Sequence, residues 1–421
     1  MKDLRPWILA LGAFAIGTDE FVVAGVLPAI AAELSVSVAA AGHLVTAFAL
    51  SFALGAPLLA TLTASWRRRH LLVTTLLLFI LANFAAAASA TFPQLLVARV
   101  LAALAGSLFV PTATAVVAEL APAEHRGRAI AVVMTGLTAA ILLGVPIGAW
   151  IGAAAGWRAC FVFVGGIGLL ALAGVAFALP HTATPPALPL RHRLAPLTRP
   201  AILLALAVVF TASLGSFMTY TYIAPLLHEA AGVEGALVGT FLLVFGMASI
   251  VGSRLGGWGA DTLGAETTMA LSLVGMGAAL AGLSSLAALG DIAGPAGPAM
   301  AADLAGAAAP TSPQAPWALP AAALLLALWG AAGWALSAPM HHRLISLAPA
   351  QATVVVGLNG AALYLGTGLG ASLGSAIVER ASAGALGWWG ALLEAVALAL
   401  LAASARVSRH ERARGAERQV A

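Results

Sequence analysis

Asp19 and Glu20 adjoin in "GTDEFVVAG", near the middle of an apolar stretch that runs from about Pro6 to Ala32. An ionised carboxylate at mid-bilayer costs about 2.5 to 3.5 kcal/mol on insertion scales, so acids placed there face a wet cavity or a partner and mark ion or proton routes. Neighbours on a helix point about 100° apart, which keeps the two acids out of one pocket and assigns them different roles. Glu20 is expected to carry a proton, and Asp19 to modulate it or occupy a second pocket. Arg99 is the one basic residue well inside a predicted span. At a rise of 1.5 Å per residue it lies about 10 Å, and Glu20 about 18 Å, below the same surface. A long side chain narrows that gap, so Arg99 is expected to hold the deprotonated first-span carboxylate, taken as Glu20, and to release it on protonation.

A second group of residues carries binding chemistry. All three tyrosines, Tyr220, Tyr222 and Tyr364, fall in predicted spans. A phenol without a partner is unfavourable in hydrocarbon, so a protein cavity is implied, and Asn359 implies one more strongly. With Phe21, Phe217 and Met218 they would form an adaptable, mostly apolar pocket with a few hydrogen-bonding groups. Tyr222 is the tyrosine best placed for an interfacial belt. Glu394, in the last span, is expected at an interface contact.

The elements that must position these residues follow from composition. Of 421 residues, 61% are hydrophobic and 9% charged, where soluble domains hold about 25% charged residues. Mean hydropathy is +1.00. The chain reads as an all-α membrane protein. One cysteine, Cys160, excludes an internal disulfide, and nine scattered histidines lack metal-ligand spacing; neither a cofactor nor a metal is called for. Apolar runs give twelve helices, at about 6–32, 41–65, 70–90, 92–120, 127–153, 158–180, 200–228, 235–258, 266–289, 317–346, 351–379 and 385–405. The first, after a short charged flank, is too long for a signal-peptide core and reads as a permanent span.

An even count puts both termini on one side. With that side cytoplasmic, Lys2, Arg5, Arg67, Arg68, Arg69, Arg126, Arg128, Arg191, Arg193, Arg199, Arg254, Arg343 and the tail arginines fall inside, and Arg158 and Arg380 outside. This asymmetry satisfies the positive-inside rule. It also accounts for a pI of about 10.0 without a nucleic-acid partner. The chain divides into an N-terminal six-helix bundle (1–180), a proline-rich basic cytoplasmic linker (181–199), a C-terminal six-helix bundle (200–405) and a basic cytoplasmic tail (406–421). Residues 290–316 form a Gly/Pro/Ala-rich outer loop.

The halves share a register. Pro28 and Pro225 are 197 positions apart, as are Gly55 and Gly252, which points to duplication and to a transporter built of repeats with its site at their interface. In the fifth span Gly136, Ala140, Gly144, Gly148 and Gly152 recur every four residues, lining one face with small side chains for close helix approach. Pro146 should kink that span. Gly366, Gly370 and Gly374 repeat the device in the eleventh.

The segments "GTDEFVVAGVLPAIAAEL", "GVPIGAWIGAAAGWRACF" and "TYIAPLLHEAAG" resemble the major facilitator superfamily, more narrowly its drug:proton antiporter branch, and look most like bacterial chloramphenicol-resistance and sugar-efflux exporters. The resemblance implies two pseudo-symmetric bundles, alternating access and proton-driven export of small organic molecules, with Glu20 at the family's Thr-x-Glu-Phe position. Gating is implied for Gly144, Pro146, Gly148 and Gly152. The family's loop motif between helices 2 and 3 keeps only Arg67, Arg68 and Arg69, with Ala64 at its aspartate position. Its second-half copy keeps Gly257, Asp261 and Gly264. Arg99 suits the family's helix 4 arginine, with Ala103 where a glycine is expected. Phenicol-type drugs, sugars and metabolites remain open as substrates, sodium as the coupling ion, and proton symport as the direction.

Other classes find less support. An enzyme would need a nucleophile and base or metal ligands, and only the pair His341 and His342 at a helix end is available. A channel would need a repeated polar filter, while a non-transporting membrane sensor remains as an alternative. The expected partners are a small-molecule substrate, protons and lipid. The expected setting is a monomer in a bacterial inner membrane.

Overall fold

The computed structural model describes residues 4–180, 195–293 and 316–420. Among them twelve helices are long and apolar enough to cross a bilayer. They are α1 (Arg5–Glu33), α2 (Val38–Leu62), α3 (Arg68–Ala87), α4 (Phe92–Leu120), α5 (Arg126–Ala155), α6 (Trp157–Ala178), α7 (Pro200–Thr221), α8 (Ala236–Thr262), α9 (Ala265–Ala293), α10 (Ala318–Leu347), α11 (Ala352–Arg380) and α12 (Leu386–Val420). Lys2, most of the expected linker and residues 294–315 of the expected outer loop lie outside the described residues. The last helix does not stop near 405 but runs on through the Arg/Glu/Ala-rich tail, a composition of good helix formers.

Prolines set the irregularities. The seventh span, expected to run unbroken to 228, breaks at Tyr222 (φ −109°) and resumes as Ile223–Ala231. Pro225 lacks an N–H and its ring displaces the carbonyl four residues back, that of Thr221. Pro339 likewise breaks α10 at Leu336. In α5, Pro146 follows a π-helical turn over Ala140–Gly144, a wide turn that absorbs the misfit the proline creates.

Small residues then set the packing, and they do so twice. A Cβ added at Gly144, Gly148 or Gly152 of α5 would lie 1.9, 2.3 and 2.4 Å from Thr18 Oγ1, Val22 and Val26 of α1. One added at Gly366 or Gly370 of α11 would lie 2.4 Å from the carbonyl oxygen of Phe210 or Leu214 of α7, and at Gly374 2.7 Å from the ring of Tyr222. Thus α5 rides on α1 as α11 rides on α7, four-residue step for four-residue step. Gly55 meets Leu104 and Ser107 of α4, and Gly252 meets Ala331 of α10, so the pair spaced by 197 makes equivalent contacts. The two six-helix bundles, α1–α6 and α7–α12, meet along α2 against α11 and α5 against α8, one and the same pairing under exchange of the halves.

Tryptophans mark two levels. Trp7, Trp66 and Trp258 are exposed at the end where the chain begins, and Trp150, Trp317, Trp388 and Trp389 at the far end, as belts at two bilayer surfaces would be. The cross-bundle hydrogen bonds, Trp150 Nε1 to Ala236 O, Tyr222 Oη and Ser375 Oγ to Ala39 O, and Tyr364 Oη to Glu20 Oε2, lie at mid-depth or towards the far end. On the near half of α11, Gly357 and Gly360 have open space beside them. Among the described residues the polar contacts across the seam therefore gather at mid-depth and the far end. Glu394, expected at an interface contact, turns inward instead: it is 1% exposed, against Gly215 of α7 and Gly277 of α9, glycines that leave it room.

Candidate functional site

The two acids of α1 diverge as helix geometry requires. Asp19 faces α4 within its own bundle, where Arg99 Nη1 donates to Asp19 Oδ1 at 2.7 Å and to its carbonyl oxygen at 3.0 Å. Both side chains are sealed from solvent, at 0% and 1% exposure. The guanidinium lies 4.2 Å from the Phe48 ring centroid, where a cation is held by the ring's quadrupole. Asp19 Oδ2 and Arg99 Nε and Nη2 have no partner among the described residues. The expectation that Arg99 attends Glu20 is therefore corrected. The one-residue difference turns the carboxylate by about 100°, and only Asp19 points at α4.

Glu20 faces the seam. Its Oε2 accepts a hydrogen bond from Tyr364 Oη of α11 at 2.9 Å, so this carboxyl is tied directly to the opposite bundle. Tyr364 stacks on Phe52 of α2 with ring centroids 4.0 Å apart. Beside Glu20 lies a cavity of about 10 Å³, the room of one water molecule. It is walled by Phe21, Val45 and Phe48 from one bundle and Phe217, Tyr220 and Thr367 from the other. Of the hydroxyls there, Thr221 and Thr367 already donate to the carbonyls of Phe217 and Leu363. A larger cleft of about 310 Å³ lies between the near ends of α9 and α10 and α12, within one bundle, so size alone does not mark the site.

An aromatic cluster backs this cavity. Phe21 stacks on Phe217 at 5.9 Å and meets Tyr220 edge-on at 5.9 Å. Tyr220 contacts Phe245 and Trp329, at 5.4 and 6.2 Å. Phe245 and Trp329 are site residues that sequence reasoning missed. A signal existed: Trp329 lies mid-span, away from either belt, and a buried indole N–H needs a partner, here Ser216 Oγ at 2.9 Å.

Three expected pocket residues lie elsewhere. Tyr222 is neither a belt residue nor a cavity wall: it is fully buried, with its hydroxyl between the carbonyls of Ala39 and Ala371. Two positions along a helix is about 200° of rotation, which puts it off the face that carries Tyr220. Met218 is fully buried, and it is its carbonyl oxygen that lies against Gly374 of α11. Asn359 lies within the C-terminal bundle, its Nδ2 3.5 Å from His341 Nε2.

The loop-motif residues sit at the near end, each within its own bundle. Arg68 pairs with Glu119 of α4 at 3.0 Å, Arg69 donates to the carbonyl of Ala176, and Arg67 is exposed. In the second copy Asp261 is exposed, Gly257 is uncrowded, and Gly264 (φ +88°) supplies the left-handed turn into α9. That bundle's ion pair joins Arg343 of α10 to Glu266 of α9, with the signs reversed relative to Arg68 and Glu119. At the far end, Glu33 of α1 accepts from Trp157 Nε1 at 2.7 Å and pairs with Arg158, which also bonds the carbonyl of Ser89. The Gly-Trp-Arg segment thus ties α1, α3 and α6 together.

Residues 9–314 match the family model of the Major Facilitator Superfamily. Over 386 residues the chain is 31% identical to the MFS-type transporter YbcL of Bacillus subtilis, covering 92% of each. It is 32% identical to the inner membrane transport protein YdhP of Escherichia coli, covering 94% of this chain and 95% of that one. It is 39% identical to a chloramphenicol resistance protein of Streptomyces lividans over 60% of this chain and 65% of that one. Among solved structures, a bacterial homologue of the human lysosomal transporter Spinster, inward-facing and occupied, superposes with a TM-score of 0.72 at 17% identity, covering 96% of each chain. The xylose transporter XylE of E. coli, partially occluded and inward-open, does so at 0.67 and 16%, over 94% of this chain and 97% of that one. These likenesses carry the fold.

Proposed function

The chain belongs to the major facilitator superfamily and is a multi-pass membrane transporter, and from that premise we propose that it exports small, mostly apolar organic molecules, phenicol-type drugs among them, in exchange for protons. The observation that carries this reading is the Glu20 carboxyl on the cavity wall, bonded to Tyr364 of the other bundle. Its protonation acts on the seam that must rearrange when access alternates. The asymmetry of the basic residues supports cytoplasmic termini in a bacterial inner membrane, which puts the far-end contacts of the seam on the outer side. The chain works as a monomer, each copy holding a complete seam.

In the cycle, substrate enters from the cytoplasm beside the aromatic cluster. The Glu20 carboxyl gives its proton to cytoplasmic water and the carboxylate keeps the Tyr364 hydroxyl. After the bundles rock, a proton from outside rebinds the carboxylate and substrate leaves. Each inward proton releases about 2.3 kcal/mol per 100 mV of potential, enough for roughly a 50-fold substrate gradient. Arg99 and Asp19 hold α1 against α4 as a rigid backing. The apolar cavity favours a drug-like substrate over a sugar: Glu20 and Tyr220 are the wall groups whose polar atoms are not already committed to helix carbonyls, and unpaired sugar hydroxyls would each forfeit a hydrogen bond on leaving water.

Proteoliposomes loaded with chloramphenicol test the reading. An imposed pH difference should drive it uphill in the wild type and not in Glu20→Gln, while a sodium gradient alone should drive nothing. Uphill movement by Glu20→Gln would overturn proton coupling at this residue.

A further inference from the structure

Among the described residues, two polar contacts across the far end of the seam converge on one carbonyl. Tyr222 Oη lies 3.3 Å from Ala39 O of the opposite bundle and 3.1 Å from Ala371 O of its own. Ser375 Oγ donates to the same Ala39 O at 2.9 Å. The phenol fills a slot made by two glycines, one from each bundle. A Cβ at Gly42 would fall 1.9 Å from its oxygen, and one at Gly374 2.7 Å from its ring. On the N-terminal side the acceptor belongs to a short helix, Val38–Ala41, whose cap Ser37 accepts from Ala40 N. On the other side Tyr222 is the non-helical residue at the Pro225 break, two positions after Tyr220 of the cavity wall.

We propose that Tyr222 and Ser375 form a latch on the Ala39 carbonyl that keeps the far side shut, and that transport requires this latch to open. Its chemistry suits repeated use. A tyrosine hydroxyl has a single proton to donate, and on opening that proton stays with Ala371 O inside its own bundle. Ser375 falls back on the carbonyl three residues before it, as helical serines do. Neither donor is left unpaired in the apolar seam, so the latch closes firmly without making opening prohibitive. The break at Tyr222 supplies a joint through which a change at Tyr220 reaches the latch. The sequence would place Tyr222 at the lipid interface; its position between two glycines removes it from lipid altogether.

The latch rests on the alternating-access reading, and the distance measurement that tests it needs neither substrate nor proton gradient. Spin labels at Ala32→Cys of α1 and Ala236→Cys of α8, both exposed at the far end, are introduced with Cys160→Ala, and their distance is measured by pulsed electron resonance in nanodiscs. The wild type should give a short far-end distance. Tyr222→Phe keeps the ring in its slot and loses only the hydroxyl; it and Ser375→Ala should each raise a longer-distance population about 5-fold, the net worth of one neutral hydrogen bond. Gly42→Ala, which places a methyl group where the phenol oxygen sits, should make the longer distance predominate. Wild-type distances in all three variants would overturn the latch. A longer distance in the variants alongside unchanged efflux of chloramphenicol would overturn its place in the cycle. Failure of proton coupling at Glu20 would leave the distances untouched, so the two readings fail separately.

Discussion

Removing Arg99 should cost the protein its stability, whereas removing the charge of Glu20 should cost it only its coupling. Arg99→Ala leaves the Asp19 carboxylate fully buried without the donor that holds it at 2.7 Å, and its Oδ2 already lacks a partner. Breaking a buried pair by removing one member costs about 3 to 5 kcal/mol. For bundles of this size each kcal/mol is worth roughly 2 to 4 °C in melting temperature, so a drop on the order of 10 °C is expected in purified protein. Asp19→Asn is milder, because the carbonyl oxygen of residue 19 still accepts from Arg99 at 3.0 Å; about 1.5 to 3 kcal/mol is expected, the worth of a hydrogen bond to a charged group. The double variant Asp19→Leu/Arg99→Met, which removes both charges, should recover most of the loss. Glu20→Gln keeps an oxygen for the Tyr364 hydroxyl and should melt close to wild type, since the hydrogen bond across the seam is preserved. Differential scanning fluorimetry reads all four. A wild-type melt for Arg99→Ala, or a large drop for Glu20→Gln, would refute the division of labour between the acids.

Gly144→Leu should abolish folded protein, seen as loss of the monodisperse peak in size exclusion, because even its Cβ would lie 1.9 Å from Thr18 Oγ1; Gly166→Leu in α6, where nothing lies within reach, should be tolerated. Trp329→Phe should weaken chloramphenicol binding by about 5-fold in calorimetry, through loss of the indole bond to Ser216 that fixes the aromatic wall. Glu394→Met should raise the melting temperature by several degrees, since an apolar side chain of similar length removes a buried carboxyl whose two oxygens lack partners among the described residues; a lower melting temperature would show that the carboxyl is needed.

Much of the architecture was legible beforehand because its causes are local. A span is a long apolar run, a kink follows a proline, and a close helix contact follows a four-residue glycine step. None of these needs knowledge of a distant residue. The five small positions of α5 and the three of α11 therefore pointed to close packing, though not to α1 and α7 as the partners. The two acids announced themselves by their cost in hydrocarbon, and the angle between helix neighbours required that they part.

Which acid went where was a tertiary matter. A depth estimate along separate helices placed Arg99 and Glu20 within reach of each other, but the rotation of α1 about its own axis decides the pairing, and that rotation is set by the glycine face of α5. Tyr220 and Tyr222 had to part, being about 200° apart round the helix, but only the tertiary structure gives the second a slot, where Gly42 meets Gly374. Phe245 and Trp329 join the site because α8 and α10 come together behind α7. The amino-acid sequence by itself determined that this chain crosses the membrane twelve times, as two like halves, with acids that must be sheltered. Folding alone decided which acid faces the seam, which tyrosine closes it and which aromatics line it, because those depend on helix rotation and on contacts between residues hundreds of positions apart.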